Sequence, residues 1–437
     1  MVLTALDQLF AEEQIQVVPG EFHPLGNNGQ WIAYPDSEKQ ISTILQYANE
    51  HGLKVVPMGG GTKRGFGGTE EQADLLLSLS RHRGIVEYSK GDLTITVKAG
   101  TTMKEIGDYL KMNKQMLPID PAWPEFATIG GVVAANDSGP KRLRYGSARD
   151  LLIGLRLIYP NGQVIRTGGK VVKNVAGYDM NKLFVGSMGT LAVISELTLK
   201  LRPCPAYKSL AILAFPDGDW QAIRSFATAI LDSQIEPVSL EVLSPSLNER
   251  LHGMREYGLV IAFEDVEKAV QYQVEWLKRH LPKNASLSVL SQDEADLWWD
   301  RFARISPKGA HPGSAEDQEI GLKVGSKNLD AIEVVSFCHQ LGQELQAEVI
   351  VHGGAGHGIS RAYVKGEESK LLPFVQAVRS HAESRGGYAV VQHAPLSLRQ
   401  KVDVWGEKPA YFPLLEGIKR TVDPHSVLNP KRFIGGI

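Results

Sequence analysis

The sequence predicts an α+β protein of more than one domain, and three observations carry that expectation. Glycine-rich, small-residue segments crowd the first two hundred residues and alternate there with short apolar strands. Past Pro205 the glycine clusters thin out and strand-then-helix units recur, the texture of antiparallel strands backed by helices. The chain has 437 residues, more than one ordinary domain uses. A boundary near residue 204 is expected.

The elements follow in order. Ile41, Ile44, Leu45 and Ala48 fall at helical spacing within 38–51; Ser37 or Asp36 can cap the start, and Gly52 ends it. Residues 54–58 read as a short strand that runs straight into a glycine run. Residues 75–79 and 94–99 read as strands, and Met103, Ile106 and Leu110 place one apolar face on a second helix. The proline-rich stretch 118–124 must be loop. Strands over 153–159 and 163–167 flank Pro160-Asn161-Gly162, a turn signal, and 191–201 is another strand. Beyond the boundary, strands over 209–215, 259–263 and 348–351 are each followed by a helix, over 220–231, 266–281 and 371–384. A short helix falls within 410–437. There is no low-complexity segment and no short-period repeat.

Composition excludes several classes. The chain is 43% hydrophobic and 22% charged with a formal net charge of −2, so neither nucleic acid nor an anionic membrane is expected as a bulk partner. Two cysteines, Cys204 and Cys338, are too few for a disulfide framework, a zinc ribbon or an iron–sulfur cluster held by this chain alone. The opening MVLTALDQLFAEEQ lacks a basic n-region and a long apolar run and does not read as a signal peptide. No run of about 18 uncharged apolar residues exists to span a membrane. A reducing, cytoplasmic setting is the expectation.

The strongest local feature is Gly59-Gly60-Gly61-Thr62-Lys63-Arg64-Gly65-Phe66-Gly67-Gly68, directly after a strand. Dense glycine lets backbone N–H groups crowd around an anion, and a pyrophosphate is a natural occupant. The run fits G-x-G-x-x-G in no frame, and Gly169-Lys170 has Val164 where a Walker loop needs its leading glycine. A second small-residue run spans 127–139 and a third spans 177–194. Each alone reads equally as tight backbone packing. Together, separated by strands, they suggest one extended dinucleotide lying across several loops.

In order and content these segments resemble the FAD domain of the vanillyl-alcohol oxidase superfamily, in its D-lactate and glycolate dehydrogenase branch. The resemblance covers nearly the whole chain and is densest from 55 to 200. It implies a two-lobed FAD-binding domain of the p-cresol methylhydroxylase (PCMH) type over 1–203. An α+β cap domain with an antiparallel sheet would follow over 204–400, and 401–437 would return to the FAD domain. It implies that the loop of Gly59, Gly60, Gly61 and Thr62 cradles the pyrophosphate, with Pro57, Lys63, Gly65, Pro121 and Gly139 also at the cofactor. Thr128, Gly130, Gly131, Asn136 and Ser138 would line the flavin and ribityl side. Ile194 would contact the isoalloxazine region, and Tyr145, Gly146, Asp150, Gly189, Thr190 and Asn429 would complete the pocket. Some members attach FAD through a histidine or cysteine; neither residue occurs in 57–68 or 119–150, so FAD is expected to be noncovalent.

The catalytic relatives resemble one another in two further places, H-A-G-D-G-N-L-H and E-H-G, which supply two histidines and a glutamate to a divalent metal. Here the first reads His352-Gly353-Gly354-Ala355-Gly356-His357-Gly358-Ile359, and the second reads Gln392-His393-Ala394. Only His352 and His393 match. Ile359 and Gln392 stand where a histidine and the glutamate belong, so no metal is expected. His352 and His357 read as polar residues on a glycine turn, with His357 on the same face as Ile359 by strand alternation. Arg301, in Leu297-Trp298-Trp299-Asp300-Arg301-Phe302, resembles the family's carboxylate-binding arginine. An FAD domain with an eroded metal triad resembles the smaller, E-type flavin subunit of bacterial glycolate oxidase. That implies a 2-hydroxyacid substrate, a larger flavin subunit and an iron–sulfur subunit as partners, and a place in the cytoplasm or, through partners, at the inner membrane. Two alternatives stand beside it: a stand-alone FAD enzyme with His393 as base, and a structural subunit with a vestigial pocket.

Overall fold

The computed structural model describes residues 13–18, 23–169, 178–216, 218–309 and 318–437. Most of the opening segment weighed as a targeting sequence, together with Lys170 and Gly177, lies outside them.

Local signals explain most of the elements. The helix Glu38–His51 starts at Ser37, whose hydroxyl accepts from the Gln40 N–H, and stops at Gly52 in the left-handed region. The helix Met103–Lys111 opens with a full capping box between Thr102 and Glu105. Gly162, at φ +82°, makes the turn between the strands Leu152–Ile158 and Val164–Gly168. The second small-residue run, left without secondary structure by the sequence, forms the helix Ile129–Ala135 behind an N-cap at Thr128. Its apolar residues face the core, so no polar stripe marked it as helical.

Two sheets build the first lobe. Asn28–Ala33 and Val55–Met58 run parallel to Gln72–Ser78, with Ile15–Val17 antiparallel at the edge. A five-stranded antiparallel sheet follows in the spatial order Ile85–Ser89, Thr94–Lys98, Val193–Lys200, Leu152–Ile158, Val164–Gly168. One apolar core, from Ile15 to Leu201, includes Val427 and Leu428. The C-terminal segment thus comes home: Val55 donates to the Val427 carbonyl at 2.8 Å, and Asn429 donates to the Val55 carbonyl at 2.9 Å.

The second lobe is an eight-stranded antiparallel sheet with helices packed on it. Its order reveals two halves. Tyr207–Phe215, Ser239–Leu243, Tyr257–Asp265 and Ser286–Leu290 lie in the spatial order fourth, first, third, second. Gln318–Gly325, Glu348–Gly354, Ile359–Gly366 and Tyr388–His393 continue as second, third, first, fourth. The second half is a β-α-β-β-α-β unit, the first is the same unit with an extra helix, Pro245–His252, between its second and third strands, and the two second strands pair at the seam, where Leu243 lies opposite His352.

Candidate active site

The glycine loop leaves the strand Val55–Met58 and lies flush against the segment before the helix Ile129–Ala135. A Cβ on Gly59 would fall 2.0 Å from the Thr128 hydroxyl, and one on Gly60 would fall 1.7 Å from the Phe126 carbonyl oxygen. Gly61 sits at φ +72°. Among the described residues, the N–H groups of Gly60, Gly61, Thr62 and Lys63 donate to no protein acceptor. Orphan backbone donors in a row call for an anion.

The loop forms one wall of a groove with about 830 Å³ of free space. Pro57, Gly59, Gly60, Gly61, Thr62 and Lys63 line it from one side. Thr128, Gly130, Gly131, Gly189 and Ile194 line it from others, with Ala134, Met188, Ala192 and Val193 giving an apolar surface for a ring. These residues fit a dinucleotide whose pyrophosphate meets the loop and whose flavin meets the apolar walls.

Seven residues expected in the pocket line neither this groove nor the cavity beside it. Asn429 donates to the Met188 carbonyl at 2.7 Å, Thr190 donates to the Ser187 carbonyl, and Asn136 ends the helix Ile129–Ala135 in the left-handed region. Asp150 accepts from the Ser147 backbone and hydroxyl, and a Cβ on Gly146 would meet that carboxylate at 2.9 Å. Tyr145 turns away altogether: its hydroxyl donates to Glu264 of the second lobe at 2.8 Å. Gly65 lies behind the loop against His393, whose Nδ1 a Cβ there would approach to 2.8 Å.

A second, smaller cavity shares Thr62 and Lys63 with the groove. Pro121, Ser138 and Gly139 line it from the first lobe; His352, Arg361, Tyr363, Gln392 and His393 line it from the sheet. His393 is buried, and burial, with Arg399 and Lys63 nearby, drops its imidazole to about 3, so it is neutral at ordinary pH. Arg301 is exposed on the helix Gln292–Phe302 and lines neither cavity; its neighbour Phe302 points in instead. The arginine in the cavity is Arg361, which donates to Asp137 at 3.1 Å and to the Ser138 carbonyl at 2.8 Å.

Asp137 joins the two lobes, accepting from Lys63 at 2.9 Å as well as from Arg361. Burial alone would raise its carboxyl; the two cations reverse that and hold it at about 2. Lys323 lies directly across the ladder from Arg361, and burial beside Arg361 and Arg142 pushes its ammonium down to about 8. Like charges opposed on a sheet face are unfavourable by themselves, and the buried Asp137 carboxylate offsets them.

His352 is not on a turn. It is buried in the strand Glu348–Gly354, and its Nδ1 donates to Glu241 at 2.8 Å. His357, on the turn that follows and not in strand register with Ile359, meets the other Glu241 oxygen at 3.2 Å. Glu241 is fully buried; burial would raise it, but the two imidazoles hold it at about 2. Sequence reasoning passed over Glu241, Lys323 and Arg361. Glu241 and Lys323 did carry a signal, a lone charge inside an apolar strand, which is seldom buried without a task.

Known proteins match this arrangement. The family model described as FAD binding domain matches residues 30–168. The chain is 36% identical over 417 residues to the glycolate oxidase subunit GlcD of Bacillus subtilis, covering 92% of this chain and 88% of that one. It is 33% identical to a mitochondrial cytochrome D-lactate dehydrogenase of Arabidopsis thaliana, over 94% of this chain and 75% of the relative. In fold it matches a 4-ethylphenol oxidase from Gulosibacter chungangensis with a TM-score of 0.77 at 14% identity, covering 99% and 96% of the two chains. The PCMH-type fold is therefore shown, FAD is the cofactor, and this chain belongs to the family of FAD-dependent oxidoreductases that includes the glycolate oxidase subunit GlcD and the D-lactate dehydrogenases.

Proposed function

We propose that this chain is the smaller, E-type flavin subunit of a glycolate or D-2-hydroxyacid dehydrogenase complex. It would oxidise the hydroxyacid or relay its electrons to an iron–sulfur partner. One observation carries the reading: the second cavity shares Thr62 and Lys63 with the groove and has cations and imidazoles on its walls, yet Gln392 stands beside His393. FAD, when bound, supplies the acceptor for a hydride. Arg361, with Lys63 beside it, is placed to hold a carboxylate, and His393, being neutral, is placed to take the hydroxyl proton. Gln392 brings no negative charge and Ile359 no lone pair, so the cavity is poorly equipped for a dication. The chain divides, on this reading, at 203/204 and 400/401, with the last segment returning to the FAD lobe.

No helix among the described residues is long and apolar enough to cross a membrane. The two cysteines of the chain leave any iron–sulfur cluster to another subunit.

Native-tag purification tests the assembly: a larger flavin subunit and a cysteine-rich iron–sulfur subunit should accompany the chain. A chain that emerges alone and turns over glycolate with an artificial acceptor would establish the stand-alone enzyme instead. The Glu241–His352 pair is what favours that second reading, since a carboxylate-oriented imidazole is a base without any metal. Elemental analysis of the purified chain should find no stoichiometric zinc, manganese or iron, and acid precipitation should release all FAD into the supernatant.

A further inference from the structure

Three arginines surround residues 63–68, and among the described residues none pairs with a carboxylate. Arg399 donates to the carbonyls of Gly68, Ala394 and Leu25. Arg432 donates to the carbonyls of Phe66 and Lys63 at 3.1 Å each and to the Asn429 side chain at 3.3 Å. Arg64 donates to the Gly26 carbonyl at 3.0 Å and to the backbone and side chain of Asn27 and Asn28. Burial lowers all three, and Arg64 lowers Arg432 further. Neutral carbonyls satisfy N–H groups but leave the charges unbalanced, and buried charges are ordinarily paired.

The three differ in one respect. Arg399 is fully buried and lines no part of the groove, so it is a strut between the glycine loop and the second lobe. Arg64 and Arg432 line the groove itself, and each keeps guanidinium N–H groups beyond the carbonyl contacts described. Two uncompensated cations in the wall of a cofactor groove that already offers orphan backbone N–H groups need an anion, and FAD brings one.

We propose that Arg64 and Arg432 form a charge clamp that holds the negative charge of bound FAD. That charge sits on the diphosphate or, after reduction, on the polar edge of the ring. The clamp adds to whatever the loop amides contribute and makes part of the binding electrostatic.

The inference rests on FAD occupying the groove, and wild-type apoprotein is the control: failure of wild type to bind FAD would sink that premise and not the clamp. Apoproteins of wild type, Arg64→Gln, Arg432→Gln, Arg432→Lys and Arg399→Gln are titrated with FAD and with riboflavin, which lacks phosphate. Melting temperatures of the apoproteins and the reduction potential of bound flavin are measured alongside. If the diphosphate is the seat, each groove variant weakens FAD about tenfold or more while riboflavin is unchanged, the loss shrinks at high salt, and Arg432→Lys recovers part of it. If the reduced ring is the seat, the potential of bound flavin in Arg432→Gln becomes more negative instead. Arg399→Gln should lower the melting temperature and move neither quantity. The clamp is overturned if neither the FAD-to-riboflavin affinity ratio nor the potential moves in the two groove variants, whatever happens to their melting temperatures.

Discussion

Asp137 shows how one side chain can serve both the fold and the site. It is buried, and it joins Lys63 of the glycine loop to Arg361 of the sheet. Its folded value, about 2, lies below its unfolded 3.8. Its stabilisation is therefore present in full above the unfolded value and is lost as pH falls through about 2. Asp137→Asn leaves two cations unmatched, and chemical denaturation should report a loss of about 3 kcal/mol at neutral pH together with a flatter acid limb. An unchanged acid limb would count against the role. Glu241 accepts from two imidazoles; Glu241→Gln keeps one acceptor oxygen but turns the other into an amide NH2, so either His352 or His357 loses its acceptor, and the loss should be about 1–3 kcal/mol. Gly60 calls for a different reading. A side chain there meets the Phe126 carbonyl before it meets any ligand. Gly60→Val should thus lower the melting temperature of the apoprotein as well as its flavin content; a variant that melts like wild type while losing flavin would place the phosphate directly on Gly60.

At the scale of elements, capping and turn chemistry made the first lobe legible. Ser37, Gly52 and Pro160-Asn161-Gly162 act within a few residues, and the elements they delimit stand where the pattern put them to within a residue or two. The helix Ile129–Ala135 was hidden because glycine and alanine in a buried segment carry no periodic contrast. Thr128 both caps that helix, accepting from the Gly131 N–H at 3.3 Å, and lines the groove. Thr128→Ala should cost about 1 kcal/mol of stability and lower the bound flavin fraction at equal cofactor concentration. Full flavin occupancy would confine it to the cap. In the second lobe the strand-then-helix texture was readable, but the pairing of two half-sheets at Ser239–Leu243 and Glu348–Gly354 was not. Strands separated by about a hundred residues share no local signal of their pairing.

The whole molecule is two lobes held by a few buried polar joints. Tyr145 and Lys141 of the first lobe share Glu264 of the second, at 2.8 and 2.6 Å. The family pattern placed Tyr145 in the cofactor pocket, and the joint explains that residue in a different way. Tyr145→Phe should keep full flavin stoichiometry while lowering the temperature at which the lobes unfold, as read by calorimetry. Loss of flavin in that variant would return Tyr145 to the pocket. Lys419 locks the C-terminus in the same manner, donating to Thr190, Asp423 and Leu428 and so fixing the chain behind Gly189.

By itself the sequence determined that this is an α+β protein with a glycine-rich loop directly after a short strand, and its resemblance carried the family and the cofactor. Those properties reside in runs of neighbouring residues, where spacing and backbone freedom are enough. Which charges face one another was decided only by the tertiary structure. Arg361 displaced Arg301 from the cavity because strand register, not proximity to a tryptophan, sets what points inward. Glu241 reached His352 across the seam of two half-sheets, and Asp137 met a cation from each lobe. The energies of such buried pairs depend on distance and solvent exclusion, and both exist only once the chain has closed on itself.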